Sequence, residues 1–153
     1  MTNIIMKEPI MHHNIEHLPL EAIKPRANNT RTHSKKQIGQ VARSIKRFGF
    51  TFPILVDGTG FIIAGHCRYE AAKSLGLAEV PTLCRSDLSE AEIKAYMIAD
   101  NKLAENAGWN RQQLAIELIE LGDLSSDLDL EITDTGFDIP ECPSSYKYGQ
   151  MAA

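Results

Sequence analysis

The segment 61–72 contains the residue types and the spacing of a phosphate-binding turn. An apolar stretch of strand type ends at Gly65, a short polar turn follows, and a helix is predicted to begin at about Arg68. Backbone N–H groups of such a turn and of a helix N-terminus point in one direction and bind anions. Gly65 has no Cβ, so its backbone can approach a phosphate closely, and the planar guanidinium of Arg68 matches phosphate oxygens. The sequence therefore predicts an anion-binding site at Gly65–Arg68.

Two further side chains of this turn, His66 and Cys67, each allow more than one interpretation. A histidine can donate a hydrogen bond to a phosphate when neutral and pair with it when charged. His66 is therefore a candidate phosphate ligand or general acid. The alternative is that its side chain only fills space in the turn. A cysteine at a helix N-terminus can have a lowered pKa and be reactive. Free cysteine also serves as a small buried residue, and this second interpretation is favoured for Cys67.

The elements that must position this turn follow the order strand, helix, strand, strand, helix, strand, and then further helices. Ser34 is a good N-cap, apolar residues recur at helical spacing up to Phe48, and Gly49 ends that helix. Strands predicted at 52–56 and 61–64 form a hairpin. This order predicts a small α+β or α/β fold in which helices cover the sheet.

Three local signals refine this pattern. Pro81 lies in the apolar strand 80–83 and favours an edge or an early strand position. Ser89 and Glu92 form a capping box that opens a helix running to about residue 105. Asn110 can cap a last long helix, and Trp109 can pack onto Leu114 as a hydrophobic staple.

The charge of the chain is unevenly distributed. The net charge is −4, yet residues 22–56 contain no acidic side chain, whereas acids predominate from Glu105 onward. The basic segment 22–56 indicates that this part of the chain binds a polyanionic ligand. The alternative is that its charges form the solvated face of a helix. The candidate DNA-binding residues on the predicted helix are Lys35, Lys36, Arg43, Lys46 and Arg47.

Apolar runs, cysteine spacing and composition indicate the cellular compartment and the domain boundaries of the chain. No apolar run is long enough to span a membrane and no signal peptide is recognisable, so we expect a cytoplasmic protein. The three cysteines are widely spaced and match neither a zinc site nor a disulfide framework. We expect a flexible N-terminus at 1–14, a domain at 15–107, a helical and acidic extension at 108–141 and a flexible tail at 142–153.

Two segments resemble the conserved boxes of the ParB N-terminal domain. The first comprises 41–49 and 53–56; the second comprises 63–68, with Ala71-Ala72 and Val80-Pro81. The runs 28–38 and 99–104 look closest to ParB-like domains found with phage or plasmid DNA-modification methylases. The resemblance implies a ParB/sulfiredoxin-like α+β fold, with a small mixed sheet covered by helices and a C-terminal helical extension. The wider superfamily binds nucleotides, so CTP or ATP with Mg²⁺ are the implied cofactors.

The resemblance also implies roles for individual residues. Gly65 and Arg68 match the ends of the Gly-Glu-Arg-Arg turn that contacts nucleotide phosphates in partition proteins, whereas His66 replaces the Glu and Cys67 replaces the first Arg. Arg31 matches a loop arginine of those proteins. The implied phosphate-binding set is Arg31, Gly65, His66, Cys67 and Arg68.

The pair Asp100-Asn101 is similar to a Glu-Asn pair implicated in magnesium binding, and oxygen ligands beside a triphosphate suit Mg²⁺. Asp100 and His66 are the candidate catalytic residues. The alternatives are that Arg31 simply belongs to a basic loop and that the helix ends before Asp100. Glu21 could be a catalytic carboxylate, as in a kinase branch of the superfamily, although a solvent-facing edge residue is favoured.

Three functions follow from these observations. The first is a nucleotide-binding switch or weak Mg²⁺-dependent NTPase of the ParB type. The second is a DNA-binding or nuclease accessory in partition or DNA modification, which binds DNA without sequence specificity through the basic helix. The third is a non-catalytic adaptor whose acidic tail docks on a DNA methyltransferase or another phage or plasmid protein. A homodimer is compatible with each of them.

Overall fold

A computed structural model of the chain describes residues 13–27, 29, 31–124 and 131–137. The predicted flexible tail at 142–153 and nearly all of the predicted flexible N-terminus lie outside the described residues. Within the part that the structure describes, no helix is long and apolar enough to cross a membrane.

A four-stranded mixed sheet lies at the centre of the fold. Its strands are β1 (Ile15–Pro19), β2 (Ile54–Val56), β3 (Ile62–Ala64) and β4 (Glu79–Cys84), in the order β1-β4-β2-β3. β4 pairs antiparallel with β1 and parallel with β2, and β2 pairs antiparallel with β3 as the predicted hairpin. The mixed sheet and its helices confirm the predicted α+β fold.

The described residues form four α-helices, two of which connect strands and two of which follow the last strand. They are α1 (Lys35–Phe48), α2 (His66–Ser74), α3 (Glu90–Glu105) and α4 (Arg111–Leu124). The predicted caps are present, because Ser34 Oγ accepts a hydrogen bond from Gln37 N and Ser89 forms a reciprocal capping box with Glu92. Each cap satisfies backbone donors that would otherwise lack a partner at the start of the helix.

Successive residues of a strand point to opposite faces of the sheet. In β3 two successive residues are both buried, so the sheet is covered on both faces there. Ile62 belongs to one apolar cluster with Ile54 and with Ala72 of α2. The next residue, Ile63, belongs to a second cluster with Ile93 and Met97 of α3. The strand β3 is therefore clamped between α2 and α3, which fixes the position of the turn that follows it.

The expectation that Pro81 marks a sheet edge is wrong, because β4 lies between β1 and β2. The alternative of an early position holds for the pairing with β2, which starts at Thr82. Arg85 N donates to Val56 O on the β2 side, so Pro81 N, four residues earlier, faces the same side. β2 begins only at Ile54, opposite Thr82. The proline therefore lacks its N–H where the neighbouring strand has not yet started.

The C-terminal part packs back onto the domain. Gln40 Nε2 donates to Gly136 O at 3.0 Å, and Arg43 Nη2 lies 3.5 Å from Thr133 O, so the segment 131–137 contacts α1. The ring of Trp109, which was predicted to pack on Leu114, packs edge-on against Phe137 with 5.2 Å between centroids. This segment thus contacts both α1 and the start of the α4 region.

Candidate phosphate-binding site

The turn between β3 and α2 is made by a single residue. Gly65 has φ 106° and ψ 22° and is the N-cap of α2, which begins at His66, two residues earlier than predicted. Glycine adopts this left-handed conformation without steric penalty, so the chain passes from strand to helix without a longer loop. Tyr69 N donates to Gly65 O at 2.9 Å and closes the first turn. The N–H groups at the start of α2 have no acceptor within the helix.

The Arg68 side chain folds back over this turn. A Cβ at position 65 would lie 2.9 Å from Arg68 Nη2, so only glycine leaves room for the guanidinium there. Arg68 Nε is buried without a hydrogen-bond partner among the described residues. Burial lowers the pKa of Arg68, and the negative charge of Asp100 opposes that shift. The turn therefore holds a half-buried cation with a donor that still lacks an acceptor.

His66 and Cys67 differ in what their surroundings permit. His66 Nε2 is also buried without a partner in the described structure. Burial, followed by the positive potential of His33 and Arg26, lowers the pKa of His66, so the ring is neutral at pH 7. Burial raises the pKa of the Cys67 thiol despite the opposing effect of Arg31 and Arg68. This favours a small packing residue at Cys67 rather than a reactive thiolate.

Arg31 approaches the turn from the loop before α1. Arg31 N donates to Asn29 Oδ1 at 3.3 Å, and Asn29 Nδ2 donates to Arg31 O at 2.9 Å. The guanidinium reaches α3, where Arg31 Nη1 donates to Asn101 Oδ1 at 3.1 Å. Residues 70 positions apart in the sequence thereby form one wall of the site.

Asp100 lies beside Asn101 on α3, which continues unbroken to Glu105, so the alternative that the helix ends before this pair is wrong. Burial, the charge of Asp100 and its acceptance of the Tyr96 hydroxyl together raise the pKa of Tyr96. Because Asp100 also acts on Arg68, its carboxylate lies near both side chains. It is exposed and accessible to a ligand.

These residues enclose one cavity of about 250 Å³. All residues of the predicted phosphate and metal sets line it, and Asn29, His33 and Gln37 join them. The sequence interpretation missed the last three, although they lie in or next to the polar loop that contains Arg31. His33 Nδ1 and Gln37 Oε1 are 3.1 Å apart, which ties that loop to the first turn of α1.

The sequence also matches a known protein family. A family model described as the ParB N-terminal domain matches residues 6–101. The chain belongs to this family. It is 45% identical over 78 residues to the ParB-like nuclease domain-containing protein YnaK of Escherichia coli, covering 51% of this chain and 90% of that protein.

A chromosome-partitioning protein and a nucleoid occlusion protein are less similar relatives of this ParB-family chain. The chromosome-partitioning protein ParB of Myxococcus xanthus is 36% identical over 88 residues, which is 55% of this chain and 29% of that protein. The nucleoid occlusion protein of Geobacillus kaustophilus is 29% identical over 128 residues, or 80% of this chain and 45% of that protein. The chain thus spans less than half of either protein.

A solved structure shares the fold of this ParB-family chain. The C-terminally truncated ParB of Caulobacter crescentus, crystallised with CTP-gamma-S, gives a TM-score of 0.67 at 24% identity, over 84% of this chain and 74% of that one. The same bacterium's protein complexed with its centromeric parS site gives 0.50 at 22% identity. These comparisons confirm the predicted family and fold.

The other predicted residues of this ParB-like domain lie away from the cavity. The five basic residues of α1 named above are all exposed. Glu21 is exposed on a short 3-10 turn, Leu20–Ala22, and lines a different hollow. In the ranges that the structure describes, no group of three or more His, Cys, Asp or Glu side chains could hold a metal ion. Asp100 and Asn101 are therefore not part of a larger cluster of such side chains.

Proposed function

We propose that this ParB-like domain binds the phosphates of a nucleoside triphosphate in the cavity at the Gly65–Arg68 turn. The observation that carries the proposal is the pair of buried nitrogens without a partner, Arg68 Nε and His66 Nε2. Burying such polar atoms without a hydrogen bond is unfavourable, and the two residues that carry them line the same cavity. A phosphate would supply acceptor oxygens to both, since neutral His66 can carry its proton on Nε2.

The charges around the cavity suit a polyanion. Arg31 and Arg68 both line it, and the α2 N-terminus adds backbone donors with a favourable dipole. Two guanidinium groups can each bind two phosphate oxygens, which favours a chain of phosphates over a single one. Asp100 adds one negative charge at the rim, where a cation can offset it.

The size of the cavity limits which part of the ligand is enclosed. Pockets that enclose a whole drug-sized ligand have volumes of roughly 300–1,000 Å³. A cavity of about 250 Å³ therefore holds the phosphates, while the sugar and the base extend beyond its mouth. The CTP analogue bound to the related Caulobacter protein supports CTP as the first nucleotide to test, with ATP as the second.

The residues present fit a magnesium ion bound together with a triphosphate. Mg²⁺ is usually held by one or two carboxylates plus substrate phosphates, and the exposed Asp100 offers such a carboxylate in the cavity lining, whereas the Asn101 amide oxygen already accepts a hydrogen bond from Arg31 Nη1. The ion would neutralise phosphate charge. A weak NTPase activity on the same residues is part of the proposal. In it, a His66 ring that is protonated on phosphate binding can donate a proton to the leaving phosphate oxygen, and Asp100 is the second candidate catalytic residue.

Isothermal titration tests the proposal directly. The full chain is titrated with CTP, ATP, GTP, UTP and inorganic tripolyphosphate, each with Mg²⁺ and with EDTA, and phosphate release is measured in parallel. We expect saturable binding of at least one triphosphate. Absence of binding to all five ligands at millimolar concentrations would exclude a phosphate site, whereas binding without phosphate release would leave a non-hydrolysing nucleotide switch.

We further propose that α1 contacts the DNA backbone without sequence specificity. Its five basic residues fall within a sector of about 120° on a helical wheel, and the apolar positions that pack inward lie on the opposite side. All five are exposed, as a surface for phosphate groups requires. The parS complex of the related Caulobacter protein supports a DNA role for the family.

A gel shift on duplex DNA of unrelated sequence tests the α1 surface. With four or five phosphate contacts, affinity should fall about 150- to 500-fold between 50 and 200 mM salt. The variant Lys35→Ala/Lys46→Ala should bind more weakly and show a shallower salt dependence. Lys94→Ala/Lys102→Ala removes the same charge from α3 and serves as the control. Equal loss in both variants would show that net charge, and not the α1 face, determines binding.

A further inference from the structure

Arg31 depends on distant residues for the position of its guanidinium. It lies in the loop before α1, outside any helix or strand. Asn29 bonds to the backbone of Arg31 on both its N–H and its carbonyl, which fixes the loop but not the long side chain. A free arginine side chain samples many rotamers, so a preorganised site needs a partner that holds the guanidinium itself.

Asn101 is that partner, and the orientation of its amide is set from both ends. Asn101 Nδ2 donates to Met97 O at 2.8 Å, one turn back on α3. Asn101 Oδ1 accepts from Arg31 Nη1 at 3.1 Å. A flipped amide would place two donors face to face at Arg31 and two acceptors face to face at Met97. Met97 is itself buried against β3, so α3 holds the amide firmly.

We propose that Asn101 is a positioning residue that holds the Arg31 guanidinium in the cavity, ready for a phosphate group. This inference rests on the proposed function for its ligand, but the contact itself belongs to the ligand-free protein. It differs from the role that the family resemblance implies for Asn101, because the amide oxygen acts on Arg31 rather than on a metal ion.

A neutral amide suits this task better than a carboxylate. An aspartate at position 101 would pair with Arg31, neutralise the cation and compete with the ligand for its donors. It would also place an acceptor against Met97 O. An aspartate would, however, be the stronger ligand for Mg²⁺. The substitution Asn101→Asp therefore has opposite effects under the two roles.

Titration of four variants separates these roles. The variants are Arg31→Ala, Asn101→Ala, Asn101→Asp and Arg31→Ala/Asn101→Ala, and the probes are CTP and inorganic tripolyphosphate, each with Mg²⁺ and with EDTA. Asn106→Ala, an exposed asparagine at the C-cap of the same helix, is the matched control. Thermal melts identify any variant that fails to fold.

We expect Asn101→Ala to weaken binding about tenfold with Mg²⁺ and with EDTA alike, the loss typical of one hydrogen bond to a charged group. Asn101→Asp should bind more weakly still. The double variant should bind no more weakly than Arg31→Ala alone, because Asn101 acts through Arg31. Asn106→Ala should bind as the wild type does.

Several results would overturn the inference while leaving the phosphate site intact. These are wild-type affinity in Asn101→Ala, additive losses in the double variant, a loss confined to Mg²⁺, or tighter Mg²⁺-dependent binding in Asn101→Asp. If the wild type binds neither probe, the proposed function fails instead. Arg31 side-chain nitrogen resonances in the ligand-free protein then decide the inference. Restricted guanidinium rotation that is lost in Asn101→Ala supports it, and free rotation in the wild type refutes it.

Discussion

Two hollows border α2, and they differ in ways that separate a binding site from a surface depression. The larger one, about 520 Å³, lies beside the middle and end of the helix and is lined by Glu21, Tyr69, Lys73, Leu77 and Glu79, among others. The smaller one, about 250 Å³, lies at the helix N-terminus. Volume alone would favour the larger hollow.

The residues that line the two hollows favour the smaller one as the anion-binding site. Among the described residues, the buried side-chain polar atoms without a partner are Arg68 Nε and His66 Nε2, and the residues that carry them both line the small cavity. It also receives the N-terminal donors of α2. The larger hollow combines one lysine with two glutamates and apolar side chains. Unsatisfied donors and an excess of positive over negative side chains therefore identify the anion site better than size does.

Removing the guanidinium at the turn should produce the largest effect. Arg68→Ala should weaken triphosphate binding by about 100-fold, because it removes a half-buried, charge-assisted contact. Lys73→Ala removes a cation from the same helix at the larger hollow and should leave affinity unchanged. Titration calorimetry on both variants makes the comparison. If Lys73→Ala has the greater effect, the assignment of the two hollows is reversed.

The glycine of the turn allows a matched pair of substitutions. Gly65→Ala and Gly76→Ala both place an L side chain at positive φ, 106° and 68°, and each should cost about 1–2 kcal/mol of stability. Only Gly65→Ala also forces the Arg68 guanidinium aside, from a Cβ contact of 2.9 Å. We therefore expect both variants to melt earlier but only Gly65→Ala to lose triphosphate affinity.

The third prediction concerns pH. Burial lowers the pKa of His66 in the free protein, and a bound phosphate should raise it, so binding takes up a proton between the two pKa values. Affinity should then increase as pH falls through that window, by at most about tenfold per pH unit for one proton. Besides burial, the positive charges of His33 and Arg26 act on the pKa of this ring, and Arg31 and Arg68 line the same cavity.

The phosphate groups of the ligand also titrate in this range, so their contribution to the pH dependence must be separated from that of His66. His66→Asn should retain the part of the slope that comes from the phosphate and lose the remainder. His17→Asn, an exposed histidine on β1, should keep the full slope. Identical slopes in the wild type and in His66→Asn, measured by calorimetry from pH 5.5 to 8.5 in two buffers, would contradict proton uptake at His66.

The smallest effect is expected at the larger hollow. Glu21→Gln should change triphosphate affinity less than twofold and stability by less than about 0.5 kcal/mol, as is usual for exposed side chains. The measurement is the same titration together with a thermal melt. A loss of phosphate release without a loss of binding would instead give Glu21 the catalytic role that the kinase branch suggests.

Local signals in the sequence were sufficient for most elements. The caps Ser34 and Ser89 and the glycines after β3 and α1 act within a few residues, so their effect can be inferred without the rest of the fold. The position of Pro81 could not be inferred in this way. Its tolerance in an interior strand depends on where β2 begins, 27 residues earlier, which only strand pairing determines.

The sequence by itself determined the turn, the helix that follows it and the residue types that could bind a phosphate, because these depend on contacts between near neighbours. Tertiary structure alone decided that Arg31, Arg68 and Asn101 share one cavity. Their convergence requires α3 to pack on one face of β3 and α2 to pack on the other. Burial then decided which nitrogens lack a partner and which way the pKa of His66 moves, and burial is a property of the whole packed chain.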